Sequence, residues 1–246
     1  REKRRGGLLE AVEAATVWFE RRLRGPEGKV ALDYFTWRGL DSETIARFRL
    51  GYAPVLGRGE ASRLSADLLQ QGFEIETMVE AGLLNVPEDG RPPYDFFRGR
   101  AMFPITDRRG RVIAFGGRVI GDGEPKYLNT RDTPLFDKRR TLYNLANARE
   151  ACRDAPEMIV AEGYMDVIAL DRGGFPAAVA PLGTALTEEQ IEALWKLIDE
   201  PLLCFDGDNA GRRAAGRAAD RALPLLKPGK SIRIAFMPQG EDPDSM

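Results

Sequence analysis

The side chains in this 246-residue chain best placed to do chemistry are carboxylates. Glu162 closes the apolar run EMIVAEG, and Asp166 follows one helical turn later. Asp206 and Asp208 close PLLCFDGD, and Asp242 and Asp244 lie in GEDPD. Acids two apart in extended chain point the same way, so each pair is expected to aim two carboxylates at one point. The apolar runs ahead of these acids read as strands, with YMDVIALDR, TEEQIEALWKLI and NAGRRAAGRAADRAL as the helices between them. That alternation predicts a parallel sheet covered by helices on both faces. Ligands of such sheets sit beyond the carboxyl ends of the strands, where these acids fall. Five or six carboxylates at one edge repel strongly unless cations compensate them. Oxygen-only ligands favour hard ions, Mg²⁺ first with Mn²⁺ as a substitute. Magnesium keeps waters and shares substrate phosphates, which points to phosphoryl transfer.

Each piece also has a plainer use. Asp208 or Asn209 suits the N-cap of the helix beginning near Ala210, and Asp-Pro-Asp is a common turn. Glu162 is different, because nothing structural requires a charge at the end of a buried apolar strand. Taken together at one edge, the acids read as metal ligands. The chain has no histidine, which excludes Ser–His–Asp and Cys–His catalysis, His-ligated zinc and imidazole bases. Its two cysteines, Cys152 and Cys204, give neither a disulfide framework nor a zinc site, so no zinc is expected within the chain and a cytosolic setting is the default. No apolar run is long enough for a membrane span, and no GxxxxGK[ST] phosphate loop occurs. The basic start, Arg1 to Gly7, lacks the apolar stretch of a secretion signal and reads as a cut end or linker.

The elements that must position these acids follow a longer prelude. Residues 8–24 space apolar residues by three and four, which predicts a helix stopped by Gly25-Pro26. Short helices are predicted at 29–38, 42–49, 61–71 and 75–82, with Asp41 or Ser42 as an N-cap and Gly72 and Gly82 as stops. RAMFPITD, the turn Arg108-Arg109-Gly110 and RVIAFGGRVI read as a β-hairpin, leading into a glycine-rich basic stretch up to about 140. A short helix near 143–152 precedes the strand–helix alternation. The net charge of −2 hides an asymmetry: residues 98–140 hold eleven Lys/Arg against five Asp/Glu, and residues 157–246 hold nine against fifteen. Such a split suits a polyanion on one side and metal cations on the other, though ordinary surface salt-bridging produces it too.

AEGYMDVIAL, LGTALT, FDGDNAGRRAA and GEDPD resemble the successive motifs of the TOPRIM domain of bacterial primases, topoisomerases and related nucleases. The resemblance implies that Glu162 serves acid–base or metal chemistry, that Asp206, Asp208, Asp242 and Asp244 hold divalent metal, and that Asp166 supports them. FFRGRAMFPITDRRGRVIAFGGRVIGDGEPKYLNT and LFDKRRTLYNL are similar to the central RNA polymerase segment of DnaG-type primases. That likeness runs from YFTWRGLDSETIARFRLGYAP to GEDPD, nearly the whole chain. It implies an α+β fold, with an N-terminal helical and β-hairpin subdomain followed by an α/β TOPRIM domain with a mostly parallel sheet. The division expected is 1–150 as a basic nucleic-acid-binding subdomain and 151–246 as a metal-binding TOPRIM domain cut short at its C-terminus.

The basic stretch also makes sense as a nucleic-acid groove. Arg98 and Arg100 flank Gly99, so both are expected to project from one face, and Arg118 follows Gly116-Gly117, where a phosphate can approach closely. Lys126, Tyr127 and Asn129 offer a phosphate contact, a stacking ring and an amide, and Lys138, Arg139 and Arg140 add cations. The resemblance places Arg98, Arg100, Arg118, Lys126, Tyr127, Asn129 and Lys138 along the template and nucleotide path. The family usually has a basic residue where this chain has Phe96, which removes one phosphate contact. Arg108, Arg109 and Arg111 are expected on a solvated turn, and Tyr94, Tyr143, Phe97, Phe103 and Phe115 in the core.

The activity implied is synthesis of short RNA primers on single-stranded DNA by two-metal nucleotidyl transfer. The implied partners are the template, ribonucleoside triphosphates and the RNA–DNA hybrid, in the bacterial cytoplasm at the replication fork. A replicative helicase would be met through a C-terminal domain lying outside this chain, which is read as an excised core. The rivals are TOPRIM-type DNA cleavage and a non-catalytic scaffold that binds DNA with a structural metal.

Overall fold

The computed structural model describes residues 2–57, 63–155, 157–183 and 185–244. Thr184 of LGTALT, residues 61–62 of the predicted 61–71 helix and the final Ser245-Met246 lie outside the described residues. The chain forms two compact units, Arg1–Ile105 with Arg111–Asp137, and Thr106–Gly110 with Lys138–Met246. The sequence reading breaks the chain after residue 150, whereas the contacts break it after Asp137. The reason is that Leu142, Leu145 and Ala148 bury themselves in the core of the second unit.

In the first unit, α1 (Glu2–Arg24) buries Leu8, Ala11, Val12, Ala15, Phe19 and Leu23 along one face. This is the three-and-four spacing of an amphipathic helix. A 3₁₀ turn over Pro26–Gly28 leads into α2 (Lys29–Trp37). Asp41 caps α3 (Ser42–Arg47), its Oδ1 accepting from the Thr44 N–H at 2.8 Å. The next strand, β1 (Gly51–Ala53), crosses α1 so closely that a Cβ on Gly51 would lie 2.6 Å from Phe19 Cβ. Next come α4 (Leu64–Gln70) and α5 (Ile75–Glu80), each followed by a glycine at positive φ, 90° at Gly72 and 75° at Gly82. A two-stranded antiparallel pair, β2 (Leu84–Asn85) and β3 (Tyr94–Asp95), follows. Asp95 is buried and accepts from the backbone N–H groups of Arg63, Leu64 and Ser65, so it caps α4 from a distant part of the chain.

The predicted hairpin is β4 (Arg100–Thr106) and β5 (Val112–Val119). With β1 and β6 (Tyr127–Asn129) it makes a four-stranded sheet ordered β1-β4-β5-β6. Phe103, Phe115 and Phe97 are core as expected, meeting Phe35, Phe19 and each other edge-on.

In the second unit, α6 (Leu145–Ala151) is followed by β7 (Ile159–Val160), α7 (Tyr164–Arg172), β8 (Ala178–Val179), α8 (Glu188–Leu194), β9 (Leu202–Phe205), α9 (Asn209–Ala222) and β10 (Arg233–Phe236). The sheet order is β10-β9-β7-β8, and every pairing among these strands is parallel. The α+β class and the parallel sheet are therefore present as read. Val160, Val179, Leu203 and Phe205 from the strands pack with Ile191, Leu194, Ala215 and Ala218 from the helices. Tyr143 is buried here, edge-on to Tyr164 at 4.7 Å. Among the described residues, no helix is long and apolar enough to cross a membrane.

Candidate active site

Because β7, β9 and β10 are parallel neighbours, their carboxyl ends open on one edge. Glu162 lies just past β7, Asp206 directly after β9, and Glu241-Asp242 on the loop after β10. The loops are stitched together: Met237 N–H donates to the Phe205 carbonyl at 2.9 Å and Gly207 N–H to the Glu241 carbonyl at 3.3 Å. Gly207 is required at this crossing, since a Cβ there would sit 2.0 Å from the Pro238 carbonyl oxygen.

The carboxylates meet across that edge. Glu162 Oε1 accepts from the Asp206 N–H at 2.9 Å, which ties the β7 acid to the β9 loop. Asp166, in the first turn of α7, accepts from the Gly163 N–H at 2.8 Å through Oδ2. Burial, together with Asp242, Asp206 and Glu162, pushes the Asp166 carboxyl up to about 7. Burial, then Glu162, Asp242 and Asp208, pushes Asp206 up to about 6. Asp208 caps α9, its Oδ1 accepting from the Gly211 N–H at 2.7 Å, and still acts on Asp206. The cap and the acidic cluster are both real, and one residue serves both. Asp244 follows on the same loop and is half-buried. Beside Glu162, a hollow is lined by Pro181, Leu186, Phe205 and Arg217.

Does this set suit a hard divalent cation? Asp206 Oδ1 is buried and accepts no hydrogen bond, and burial and neighbouring acids raise the Asp166 and Asp206 carboxyls, a set of charges that a cation would relieve. Among the described residues, no three acids, cysteines or histidines are drawn together closely enough to hold an ion by themselves. Magnesium does not require that, since it takes one or two carboxylates and completes its shell with waters and substrate phosphates. The donors fit such an ion.

The residues of the first unit expected along the template path lie between β3 and the end of β6. Arg98 is exposed and lies over the Tyr94 ring at 4.8 Å. Arg100 departs from the expectation that it projects beside Arg98. It is only 6% exposed and donates to the carbonyls of Gly117 at 3.0 Å and Lys126 at 3.4 Å. The alternation fails because Gly99 sits at φ 61°, which breaks the strand between them. Burial lowers its pKa. Arg118 covers the Tyr34 ring at 4.2 Å and donates to the Val119 carbonyl at 2.9 Å. Tyr127 is exposed and lies near Tyr34, whose hydroxyl burial pushes up to about 12. Lys126 is exposed, and Asn129 pairs with Gly116 on β5. In the second unit, Lys138 is half-buried and its carbonyl accepts from Gln190 Nε2 at 3.1 Å.

Residues 18–149 match the family described as DNA primase catalytic core, N-terminal domain, and residues 157–236 match the Toprim domain. The DNA primase of Pseudomonas aeruginosa is 48% identical over 240 residues, covering 97% of this chain and 36% of that protein. The crystal structure of a DNA primase domain from the same species superposes with a TM-score of 0.90 at 48% identity, covering 97% of this chain and 74% of that one. The chain belongs to the DnaG-type primase catalytic core family. A DnaG primase catalytic domain bound to single-stranded DNA also matches, at 39% identity and a TM-score of 0.87, covering 100% of this chain and 75% of that one. The chain thus spans about a third of the length of its full-length primase relative.

Within this primase family frame, the residue-type reading missed Arg131 and Asn85. Arg131 lies over Phe96 at 5.2 Å and donates to Asn85 Oδ1. Only the excess of basic residues around it signalled a role, because a cation–aromatic contact between residues 35 apart leaves no local pattern.

Proposed function

We propose that this chain is the polymerising core of a DNA primase, a nucleotidyltransferase that joins ribonucleotides along single-stranded DNA. The observation that carries the reading is the cluster Glu162, Asp166, Asp206 and Asp242 at one edge of a parallel sheet, where burial and the neighbouring acids push the Asp166 and Asp206 carboxyls upward. Glu162, Asp206, Asp208, Asp242 and Asp244 would hold Mg²⁺, or Mn²⁺ in its place, with Asp166 in support. A divalent metal, when bound, supplies the charge that steadies a triphosphate and acidifies the attacking 3′-hydroxyl.

The chain's own residues divide the remaining work. Glu162 holds the Asp206 backbone, so the β7 and β9 acids stay in register when phosphates approach. Arg98, Arg118, Lys126 and Lys138 supply positive charge to phosphates, a sequence-tolerant and salt-sensitive contact. Tyr127 offers an exposed ring for a base to stack on, and Asn129 an amide beside it. Arg100 acts from inside, pinning β5 and the stretch entering β6 by two carbonyls. A primase catalytic domain of the same fold is described bound to single-stranded DNA, which supports the template as the partner here.

The test is to incubate the protein with single-stranded DNA, labelled ribonucleotides and Mg²⁺ or Mn²⁺, beside Asp208→Asn. Asparagine caps a helix as well as aspartate does, so the fold should survive. Short RNA products that fall at least about 100-fold in the variant, at unchanged helical circular dichroism, are expected. Cleaved DNA in place of RNA, or undiminished synthesis by the variant, would contradict the assignment.

A further inference from the structure

On the surface of the first unit, two guanidiniums lie over two aromatic rings. Tyr94 and Phe96 are two apart on one extended stretch, since Phe96 N–H continues the pairing of β3 by donating to the Leu83 carbonyl at 3.0 Å. They therefore share a face. Arg98 covers Tyr94 at 4.8 Å, and Arg131 covers Phe96 at 5.2 Å. Between them Asn85, the cross-strand partner of Tyr94, donates to the Tyr94 hydroxyl and accepts from Arg131. The five side chains thus form one connected array.

The acid within this stretch does not neutralise it. Asp95 is the residue between the two rings, and it is turned inward to accept from three backbone N–H groups at the start of α4. Both arginines are exposed. The ring contacts restrain each guanidinium while both side chains stay exposed to an incoming anion. Same-face positions on a strand lie about 7 Å apart, so the array presents two separated anion contacts on an open surface.

We infer that Arg98 and Arg131, braced by Tyr94, Phe96 and Asn85, form a two-point clamp for phosphodiester groups of the single-stranded template. This rests on the function proposed above and adds to it a contact that the excess of charge alone did not single out. Phe96 carries no charge, but it supplies the face on which Arg131 is laid. The ligand chemistry is phosphate, and the open, two-point form favours a strand over one compact triphosphate.

The experiment measures binding of labelled single-stranded DNA across a salt series for the wild type, Arg131→Gln, Arg131→Lys and Arg24→Gln. The last removes one exposed charge at the end of α1 and serves as a control of equal charge change. Arg131→Gln should weaken DNA binding about three- to five-fold and reduce the salt slope by about 0.7, the share of one single-strand phosphate contact. Arg131→Lys should keep the slope, and Arg24→Gln should change neither quantity. Affinity for Mg²⁺–ATP should be the same in all four. If Arg131→Gln matches Arg24→Gln, the clamp is overturned while the primase reading stands. If Arg131→Gln lowers ATP affinity and spares DNA binding, the phosphate belongs to a triphosphate and the template clamp is wrong. If the wild type binds DNA with no salt dependence, both the clamp and the proposed function fall.

Discussion

Asp166 accepts the Gly163 N–H while standing among Glu162, Asp206 and Asp242. Its carboxyl moves from an ordinary 3.8 to about 7, so the folded chain binds that proton more tightly than the unfolded chain. Stability from this group is present below pH 3.8 and is lost as pH rises toward 7, by at most about 1.4 kcal/mol per pH unit. Thermal unfolding in EDTA should therefore fall across that window, and Asp166→Asn, which can still accept from Gly163, should flatten the fall. A variant with an unchanged pH profile would contradict the coupling. The acids were legible in the sequence because Glu162 and Asp206 close apolar strands and the others follow in the next helix or loop. Their mutual repulsion was expected on the same ground, but which carboxyls it raises was not, because that depends on distances across three loops. Arg100 misled for a local reason: the positive φ of Gly99 undoes the alternation that would have placed it beside Arg98.

At the scale of elements, the site depends on loops that cross with no room to spare. Gly207→Ala would put a methyl against the Pro238 carbonyl and should cost about 1–3 kcal/mol, read as a lower denaturation midpoint together with weakened metal binding. Asp95→Ala removes the acceptor for three N–H groups at the start of α4 and should cost about 1–2 kcal/mol. The β7-to-β10 alternation was readable because apolar strand and amphipathic helix have different periods. The pairs β1 with β4, β2 with β3 and β5 with β6 involve strands of two or three residues that no regular strand–helix alternation announces. The Asp95 cap was hidden for a related reason, since its partners lie about 30 residues away.

Across the whole molecule, charge is divided along the chain, basic over residues 98–140 and acidic over 157–246. That split was visible in composition and has a plain physical use, because a basic surface gathers a polyanion and an acidic edge gathers cations. The boundary was less visible. Residues 138–150 carry the basic character of the first unit, but Leu142, Leu145 and Ala148 commit them to the second core. The edge formed by Glu162, Asp166, Asp206 and Asp242 is proposed to hold a divalent cation. The most direct measurement is Mn²⁺ binding by electron paramagnetic resonance, for the wild type and for Asp206→Asn, with Mg²⁺ as competitor. Saturable Mn²⁺ binding is expected, displaced by Mg²⁺ and weakened at least about ten-fold in Asp206→Asn. Equal binding by the two proteins, or none by the wild type, would contradict it.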